Sequence, residues 1–501
     1  MTIPNVTQTI IDPGLGLAQN RDAGFIWMGI SSSGTANTVY TFSNPRSAQD
    51  TLGHGPLVEG VCHTLSTEGV GGPIRAVRLT GSIVGTAGAV AKTASSGAGD
   101  PSTGTITVSG TPYDAYQATV EITGTGTLGD AEFRYRLDKL SATDLITGTW
   151  SQSILVPSGG GAYVVPNTGL TLTFVPGAGS VFFKDGDMHT FACTAPYYST
   201  TNLGDGFAAI AAASYRRGVV ALAGNAASTS AGAAMFTAFQ SQLAALVNSH
   251  QYFRGIMNAG IGTASEAKSD YAGVSPNRRA TKCFGTANTI TYKGFAGWGA
   301  PDMEASVHIV ARSAFGTVSD DPARFSSGPE GSITSQGVSH DERTASIAVD
   351  EAPHSFATLR TFVGEAGYWV TNVPLTSPPG SDYVYIQHGR VMDLACATTY
   401  GALLPYLSTS VRVQEDGTID PRDKVQIEDD VQRQLDAALM HPRNLDGKSH
   451  VSGVKFTIDG SYNVALNNTL QCNTAVRPLG YLKHIDNFIG YALNLSASGA
   501  A

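Results

Sequence analysis

Residues 81–205 restrict what this chain can fold into more than any other feature of its sequence. Glycine (19) and threonine (20) supply 39 of these residues, and only 15 are charged. Short alternating runs at residues 105–108, 118–122 and 170–175 are separated by Gly and Pro turns, a pattern typical of strands of about five residues. Because segments of mixed α/β character lie on both sides, the stretch predicts a compact all-β domain inserted into an α/β core.

The flanking segments alternate between strand and helix patterns. Residues 25–30 and 76–79 are apolar runs typical of buried strands, and a helix is predicted near residues 57–68. After the β stretch, Asp205 is predicted to cap a helix that ends at about residue 216.

A strand–helix–strand unit is predicted next. The strands are residues 218–224 and 253–258, and the helix between them, about 231–249, has an apolar face made of Met235, Phe239, Leu243, Leu246 and Val247. This order predicts parallel strands joined by a right-handed crossover. Another helix is predicted at about 304–315, followed by a surface loop at 320–339.

The last third of the sequence predicts a strand, a helix and a closing β region. The strand is residues 367–372, and the helix begins at Pro421 with Asp420 as its N-cap. The apolar stripe of this helix is Ile427, Val431, Leu435, Ala438 and Leu439. Residues 450–495 are predicted to be β, with a hairpin turn at 459–460.

These segments predict an α/β (α+β) multidomain fold, with a mixed α/β core, an inserted all-β domain and extended terminal arms. The length of 501 residues also exceeds what one hydrophobic core organises. The predicted parts are an N-terminal arm (1–22), an N-terminal α/β segment (23–80), the inserted β domain (81–205), a middle α/β domain (206–366), a C-terminal core domain (367–478) and a C-terminal strand or arm (479–501).

The amino-acid composition of the chain argues against some classes of function. Charged residues are 14% of the chain, against about 25% in an average globular protein, and such a surface suits burial against other subunits. The net charge of −9 argues against direct binding to nucleic-acid phosphates. No run of 18 apolar residues occurs, so membrane insertion is not expected.

No motif in the sequence predicts a catalytic, cofactor-binding or metal-binding site. The five cysteines (Cys62, Cys193, Cys283, Cys396, Cys472) form no C-x-x-C pair, which argues against a disulfide framework and a structural zinc site. Gly447, Lys448 and Ser449 match only the end of a phosphate-binding loop. The polar cluster at residues 340–354, which includes Asp341, Glu342 and His354, is interpreted as a solvated turn.

Both ends of the chain are predicted to be apolar extended arms that dock on another surface. No apolar core of a secretory signal precedes Arg21, so we expect the chain to be made in the cytoplasm. The arm residues are Ile3, Val6, Ile10 and Ile11 at one end, and Leu482, Ile485, Phe488, Ile489, Tyr491 and Leu493 at the other. Glu428, Asp429 and Asp430 lie on the outer face of the late helix, where they form either a solvated face or a partner-binding patch.

Two stretches carry a resemblance to a known family. Residues 42–79 combine a short helix, a Gly-rich turn, a second helix and a strand ending in A-V-R-L. Residues 367–395 read GYWVTNVPLTSPPGSDYVYIQHGRVMDLA, in which R-V-M-D opens a helix. Together with the segment from residue 419 to 495, this pattern resembles the tail sheath proteins of contractile-tailed bacteriophages and contractile injection systems. The likeness covers about half of the chain.

The resemblance implies a structural subunit without a cofactor. Sheath subunits form six-membered rings stacked around an inner tube, and the helical homopolymer contracts to drive the tube through a cell envelope. Their terminal arms add strands to sheets of neighbouring subunits. The implied partners are further copies of the chain, the inner tail tube protein, and baseplate and tail terminator proteins. The implied location is the virion tail, after synthesis and assembly in the host cytoplasm, with Glu428, Asp429 and Asp430 as candidates for facing the tube.

Two other functions are compatible with the sequence. The inserted β domain, residues 81–205, is also compatible with a virion surface protein that binds carbohydrate. A hydrolase is a weaker alternative, since its active site would have to come from the cluster at residues 340–354.

Overall fold

The computed structural model describes residues 22–67, 69–70, 72–93, 103–138, 150–289, 302–330, 333–336, 356–378, 380–483, 485 and 487. Within these residues the chain has a mixed α/β core built on one six-stranded sheet. An all-β unit is inserted into the core, and a helical layer with a β-hairpin follows it.

The N-terminal segment supplies two strands to the middle of the sheet and one to its edge. Its elements are β1 (Asp22–Gly29), β2 (Val39–Phe42), α1 (Pro45–Leu52), α2 (Pro56–Ser66) and β3 (Ile74–Arg78). Asn44 caps α1 by accepting a hydrogen bond from the N–H of Ser47. The predicted strands and the predicted helix near 57–68 are confirmed.

The regular elements of the inserted unit are all strands as far as Cys193, among its described residues. They are β4 (Ala91–Thr93), β5 (Thr105–Gly110), β6 (Tyr116–Gly124), β7 (Glu132–Asp138), β8 (Ile154–Leu155), β9 (Ala162–Val165), β10 (Leu170–Val175) and β11 (Met188–Cys193). Two antiparallel sheets, β5-β10-β9 and β4-β11-β6-β7-β8, enclose a core of their own around Phe133, Phe174 and Phe183. Where the unit meets the core, Ile83 and Tyr197 exchange two backbone hydrogen bonds, of 3.0 and 2.8 Å.

The chain then returns to the central sheet. This part contains α3 (Thr200–Ala212), β12 (Arg217–Leu222), α4 (Thr229–Asn248), β13 (Tyr252–Asn258), α5 (Ala264–Asp270), β14 (Ala280–Cys283), β15 (Thr286–Thr289), β16 (Asp302–Glu304), α6 (Ala305–Phe315) and β17 (Ile333–Gln336). The strand order of the central sheet is β14-β13-β12-β1-β3-β2, and only β2 runs antiparallel to its neighbour. The predicted parallel pairing of β12 and β13 is confirmed.

Helices cover both faces of this sheet, as the apolar character of its strands requires. On one face α2 and α6 pack through side chains such as Val61 and Val310. On the other face α3 and α4 pack through Phe207, Phe239 and Leu243.

The C-terminal part begins with β18 (Leu359–Phe362) and β19 (Glu365–Val370), and continues with α7 (Ile386–Leu403), α8 (Pro421–Leu435), β20 (Gly453–Ile458), α9 (Val464–Asn467) and β21 (Cys472–Arg477). Asp420 caps α8 as predicted. The predicted stripe of α8 is buried at Ile427, Val431 and Leu435. It shares one hydrophobic cluster with α7 and β20.

Three details differ from the expectations. Helix α3 begins at Thr200, because Ser199 and Asn202 form a capping box, so Asp205 lies inside the helix and the predicted boundary at 205/206 divides it. Glu330, expected on a surface loop, is buried. The connection from β20 to β21 contains α9 in place of a two-residue turn, and no strand follows Arg477 within the described residues.

A buried histidine in the inserted unit predicts acid sensitivity. Burial, together with the charge of Lys92, lowers the pKa of His189 to about 4, although Asp187 opposes the shift. Between pH 6.5 and 4 the unfolded chain therefore binds a proton at this site that the folded chain does not, and stability falls as the pH falls through this range. We expect the wild type to lose up to about 3 kcal/mol more than His189→Gln between pH 7 and 4, measured by chemical denaturation. Equal losses in both chains would contradict the assignment.

Candidate intersubunit site

The hairpin of β20 and β21 presents two edges of different character. Six residue pairs join its strands, from Gly453 with Arg477 to Ile458 with Cys472. In an antiparallel pair, successive residues direct their N–H and C=O groups alternately toward the partner strand and away from it. The outer edges of the hairpin are therefore formed by alternate residues of each strand.

Helix α8 covers the outer edge of β20 with two side chains. The Glu428 carboxylate accepts a 2.7 Å hydrogen bond from the N–H of Ile458. The Gln432 amide accepts one of 2.9 Å from the N–H of Phe456 and donates one of 3.1 Å to the carbonyl of Val454. Residues four apart lie on the same face of a helix, so one face of α8 bonds one backbone group at each of the three consecutive outward residues of β20.

The outer edge of β21 is open among the residues that the structure describes. The alternation places the N–H and C=O groups of Cys472, Thr474 and Val476 on the side away from β20. Within the part of the chain that the structure describes, no backbone or side-chain group is hydrogen-bonded to them. An exposed edge of this kind is a template for pairing with another strand.

The chain beyond β21 first runs back onto its own subunit. The Tyr481 hydroxyl donates a 2.7 Å hydrogen bond to the carbonyl of Ser319, and burial raises the pKa of Tyr481. The Lys483 ammonium contacts Asp321, donates a 3.0 Å hydrogen bond to Asn372, and lies 4.5 Å from the centre of the Tyr385 ring. The chain is therefore held by its own subunit as far as Lys483, beyond the predicted start of the arm at residue 479.

Apolar side chains are exposed where this attachment ends. Leu482 is 88% and Ile485 78% exposed, although both are large aliphatic residues that are usually buried. The other predicted arm residues lie outside the described residues: Ile3, Val6, Ile10, Ile11, Phe488, Ile489, Tyr491 and Leu493.

The R-V-M-D motif holds α7 to the central sheet through a buried ion pair. The Asp393 carboxylate accepts hydrogen bonds of 2.6 and 2.9 Å from Arg254 of β13 and one of 2.7 Å from Arg279. Arg254 also donates to the carbonyl of Gly389. A Cβ at position 389 would lie 2.7 Å from the guanidinium carbon of Arg254, so only glycine allows this approach.

Arg390, from the same motif, lies beside the beginning of β1, with its guanidinium carbon 5.2 Å from the centre of the Phe25 ring. It donates a 3.0 Å hydrogen bond to the carbonyl of Ser313, and it borders a cavity of about 60 Å³ at the beginnings of β1 and β12. Burial lowers the pKa of Arg390 to about 10, and Asp22 and Tyr481 are among the groups that oppose this shift. The buried guanidinium of Arg390 therefore stays charged at neutral pH beside the beginning of β1.

The acidic group on α8 serves several roles within the subunit. Glu428 accepts the hydrogen bond from Ile458 at the outer edge of β20. Asp430 accepts hydrogen bonds of 2.5 Å from the Tyr406 hydroxyl and 2.6 Å from Arg433. Asp429 is exposed.

The cluster at 340–354 lies outside the described residues. Sequence reasoning did not identify Gln432, Arg254 or the open edge of β21, because each depends on contacts between distant segments.

Helices in the described part of the chain include none that is both long and apolar enough to cross a membrane.

The C-terminal part of the chain is similar to a known protein family. The family model described as DUF2586, C-terminal domain, matches residues 382–496, less than a quarter of the chain, including α7, α8 and the hairpin. No curated protein matches the sequence.

Similar solved structures are sheath proteins of contractile systems. The helical sheath of the anti-feeding prophage in its contracted state is 10% identical, with a TM-score of 0.49, and the match covers 99% of this chain and 100% of that chain. The sheath tail protein from Desulfitobacterium hafniense is 11% identical, with a TM-score of 0.44 and coverages of 95% and 100%. The sheath tail protein from Listeria innocua is 11% identical, with a TM-score of 0.41 and coverages of 91% and 96%.

Proposed function

We propose that this chain is the structural subunit of a contractile tail sheath, and that it polymerises by adding strands between subunits. The observation that carries the proposal is the asymmetry of the β20–β21 hairpin. One edge is covered by Glu428 and Gln432, and the other offers the backbone groups of Cys472, Thr474 and Val476. This open edge and the exposed side chains of Leu482 and Ile485 support pairing between chains.

The strand that fills this edge belongs, in our proposal, to a terminal segment of a neighbouring copy. Residues 484–501 follow the attachment at Lys483 and include Ile485, Phe488, Ile489, Tyr491 and Leu493. Residues 1–21 precede Asp22 and supply Ile3, Val6, Ile10 and Ile11 as a second strand. Head-to-tail contacts of this kind build a helical polymer where they do not close a ring.

The finer features of the proposal follow from the sequence resemblance. The subunits form hexameric rings stacked around an inner tube, and the tail contracts to drive the tube through the host envelope. The partners are the inner tube protein, the baseplate and the tail terminator, and the particle is assembled in the host cytoplasm. Asp429 is the member of the acidic group best placed to face the tube, because its side chain is exposed. No catalytic role is proposed.

Removal of residues 484–501 tests this proposal. Ending the chain at Lys483 keeps the contacts of Tyr481 and Lys483 and removes the proposed donor strand. We expect the wild type to form cylinders visible by negative-stain electron microscopy and to sediment as a polymer. The shortened chain is expected to remain monomeric, with an unchanged melting temperature. Polymerisation of both chains at the same concentration would contradict the proposal, as would a wild type that stays monomeric.

The inserted β unit is expected to be dispensable for assembly. Ile83 and Tyr197 form a directly opposed pair, so the dipeptide Asn-Gly in place of residues 84–196 closes them as a tight hairpin. Tyr197 and Tyr198 stay, because they belong to the same hydrophobic cluster as Leu203 of α3. We expect this variant to fold and to form polymers thinner than those of the wild type. A folded variant that fails to polymerise would assign the β unit a role in the lattice.

A further inference from the structure

Three buried side chains from separate elements meet between α2 and α6. His63 lies on α2, His308 on α6, and Glu330 in the segment before β17. They are 6%, 0% and 6% exposed. One ligand atom from each lies within 4.8 Å of the other two, and the two imidazole rings meet edge to face with their centres 4.7 Å apart.

This combination of donors suits zinc. Two imidazoles and one carboxylate form a recurring set of zinc ligands, at metal–ligand distances of about 2.0–2.2 Å. Two ligands of a tetrahedral zinc ion lie about 3.4 Å apart, so side-chain rotations need to close each separation by at most about 1.4 Å.

Glu330 supplies the second, independent observation. Its Oε1 atom is buried and makes no hydrogen bond within the described residues. The Nε atom of Arg312 lies 3.7 Å away, which exceeds hydrogen-bonding distance. A carboxylate oxygen is costly to bury without a close partner. A cation between the two imidazoles would supply that partner.

We propose that His63, His308 and Glu330 bind one zinc ion, which ties α2 to α6 and to the segment at Glu330. The sequence predicted no metal site, because the ligands belong to three distant segments and match no spacing motif. A water molecule completes the coordination as the fourth ligand. This site lies in the core and is independent of the β21 edge.

The experiment uses the full, tag-free chain. Metal content is measured by elemental mass spectrometry, and the chelated protein is then titrated with Co²⁺, whose visible bands are intense only in coordination numbers below six. We expect about one zinc per chain, and visible Co²⁺ bands. His63→Gln and Glu330→Gln are expected to lower metal content at least tenfold. His189→Gln, which changes a buried histidine in the inserted unit, is the matched control and is expected to keep the metal.

Thermal melting extends the test to variants that fold poorly. A ligand that binds only the folded state raises the melting temperature, so zinc is expected to stabilise the chelated wild type and the His189→Gln control. It is not expected to stabilise the two cluster variants. A wild type that shows no Co²⁺ bands and no zinc-dependent shift would overturn the proposal. Cluster variants that keep the metal would also overturn it.

Discussion

Replacement of Asp393 by asparagine is expected to lower the free energy of unfolding by roughly 3–5 kcal/mol. The side chains of Asp393 and Arg254 are 5% and 3% exposed, so the loss of one charge leaves the other buried without its counter-ion. Burial already lowers the pKa of Arg254, and Asp393 is the largest influence that opposes this shift. Denaturation by guanidinium chloride, followed by circular dichroism, measures the difference between the two chains.

Asp446 provides the matched control for this prediction. Its carboxylate pairs with Arg324 at 2.5 Å, but the side chain is 49% exposed. Solvent screens such a pair, and Asp446→Asn is expected to change stability by less than about 1 kcal/mol. If the two variants lose equal stability, the buried pair does not hold α7 to the sheet in the way that its geometry indicates.

Local periodicity was enough to predict most of the core. Helix α8 carries an N-cap, a proline in its first turn and a regular apolar stripe, and all three features act within a few residues. The inserted unit was recognisable because a composition rich in Gly and Thr favours short strands and turns along its whole length. The start of α3 was misplaced because Asp205 and Ser199 are both acceptable caps, and only the reciprocal bond with Asn202 selects Ser199.

The candidate site could not be predicted in the same way. Asp393 lies 139 positions after Arg254 in the sequence, and no local pattern connects them. The outer edge of β20 is covered because α8 is oriented with Gln432 facing Phe456. These two residues are 24 positions apart in the sequence. The alternate direction of backbone groups along β21 follows from its being a strand. Whether the outward groups are covered or open depends on the tertiary contacts.

A proline at position 474 is expected to weaken polymerisation at least tenfold while leaving the subunit folded. The outward N–H of Thr474 is one of the groups that a neighbouring strand would bind, and proline has no N–H to offer. The hydrogen bonds to β20 come from alternate residues, including Asn473 and Ala475. They are therefore retained, since an edge strand tolerates proline where its N–H would face solvent.

Thr474→Val is the matched control, because valine keeps the N–H and the branched shape of threonine. A loss of about 1.4 kcal/mol in the free energy of one contact between subunits corresponds to a tenfold change in the association constant. We therefore expect Thr474→Pro to raise the concentration at which polymers sediment at least tenfold, with a melting temperature close to that of Thr474→Val. Val476→Pro, at the next outward position, is expected to act in the same way and covers the case in which Thr474→Pro does not fold. Polymerisation of both proline variants at the wild-type concentration would exclude the β21 edge as the acceptor, because neither could then form the complete ladder that strand addition requires.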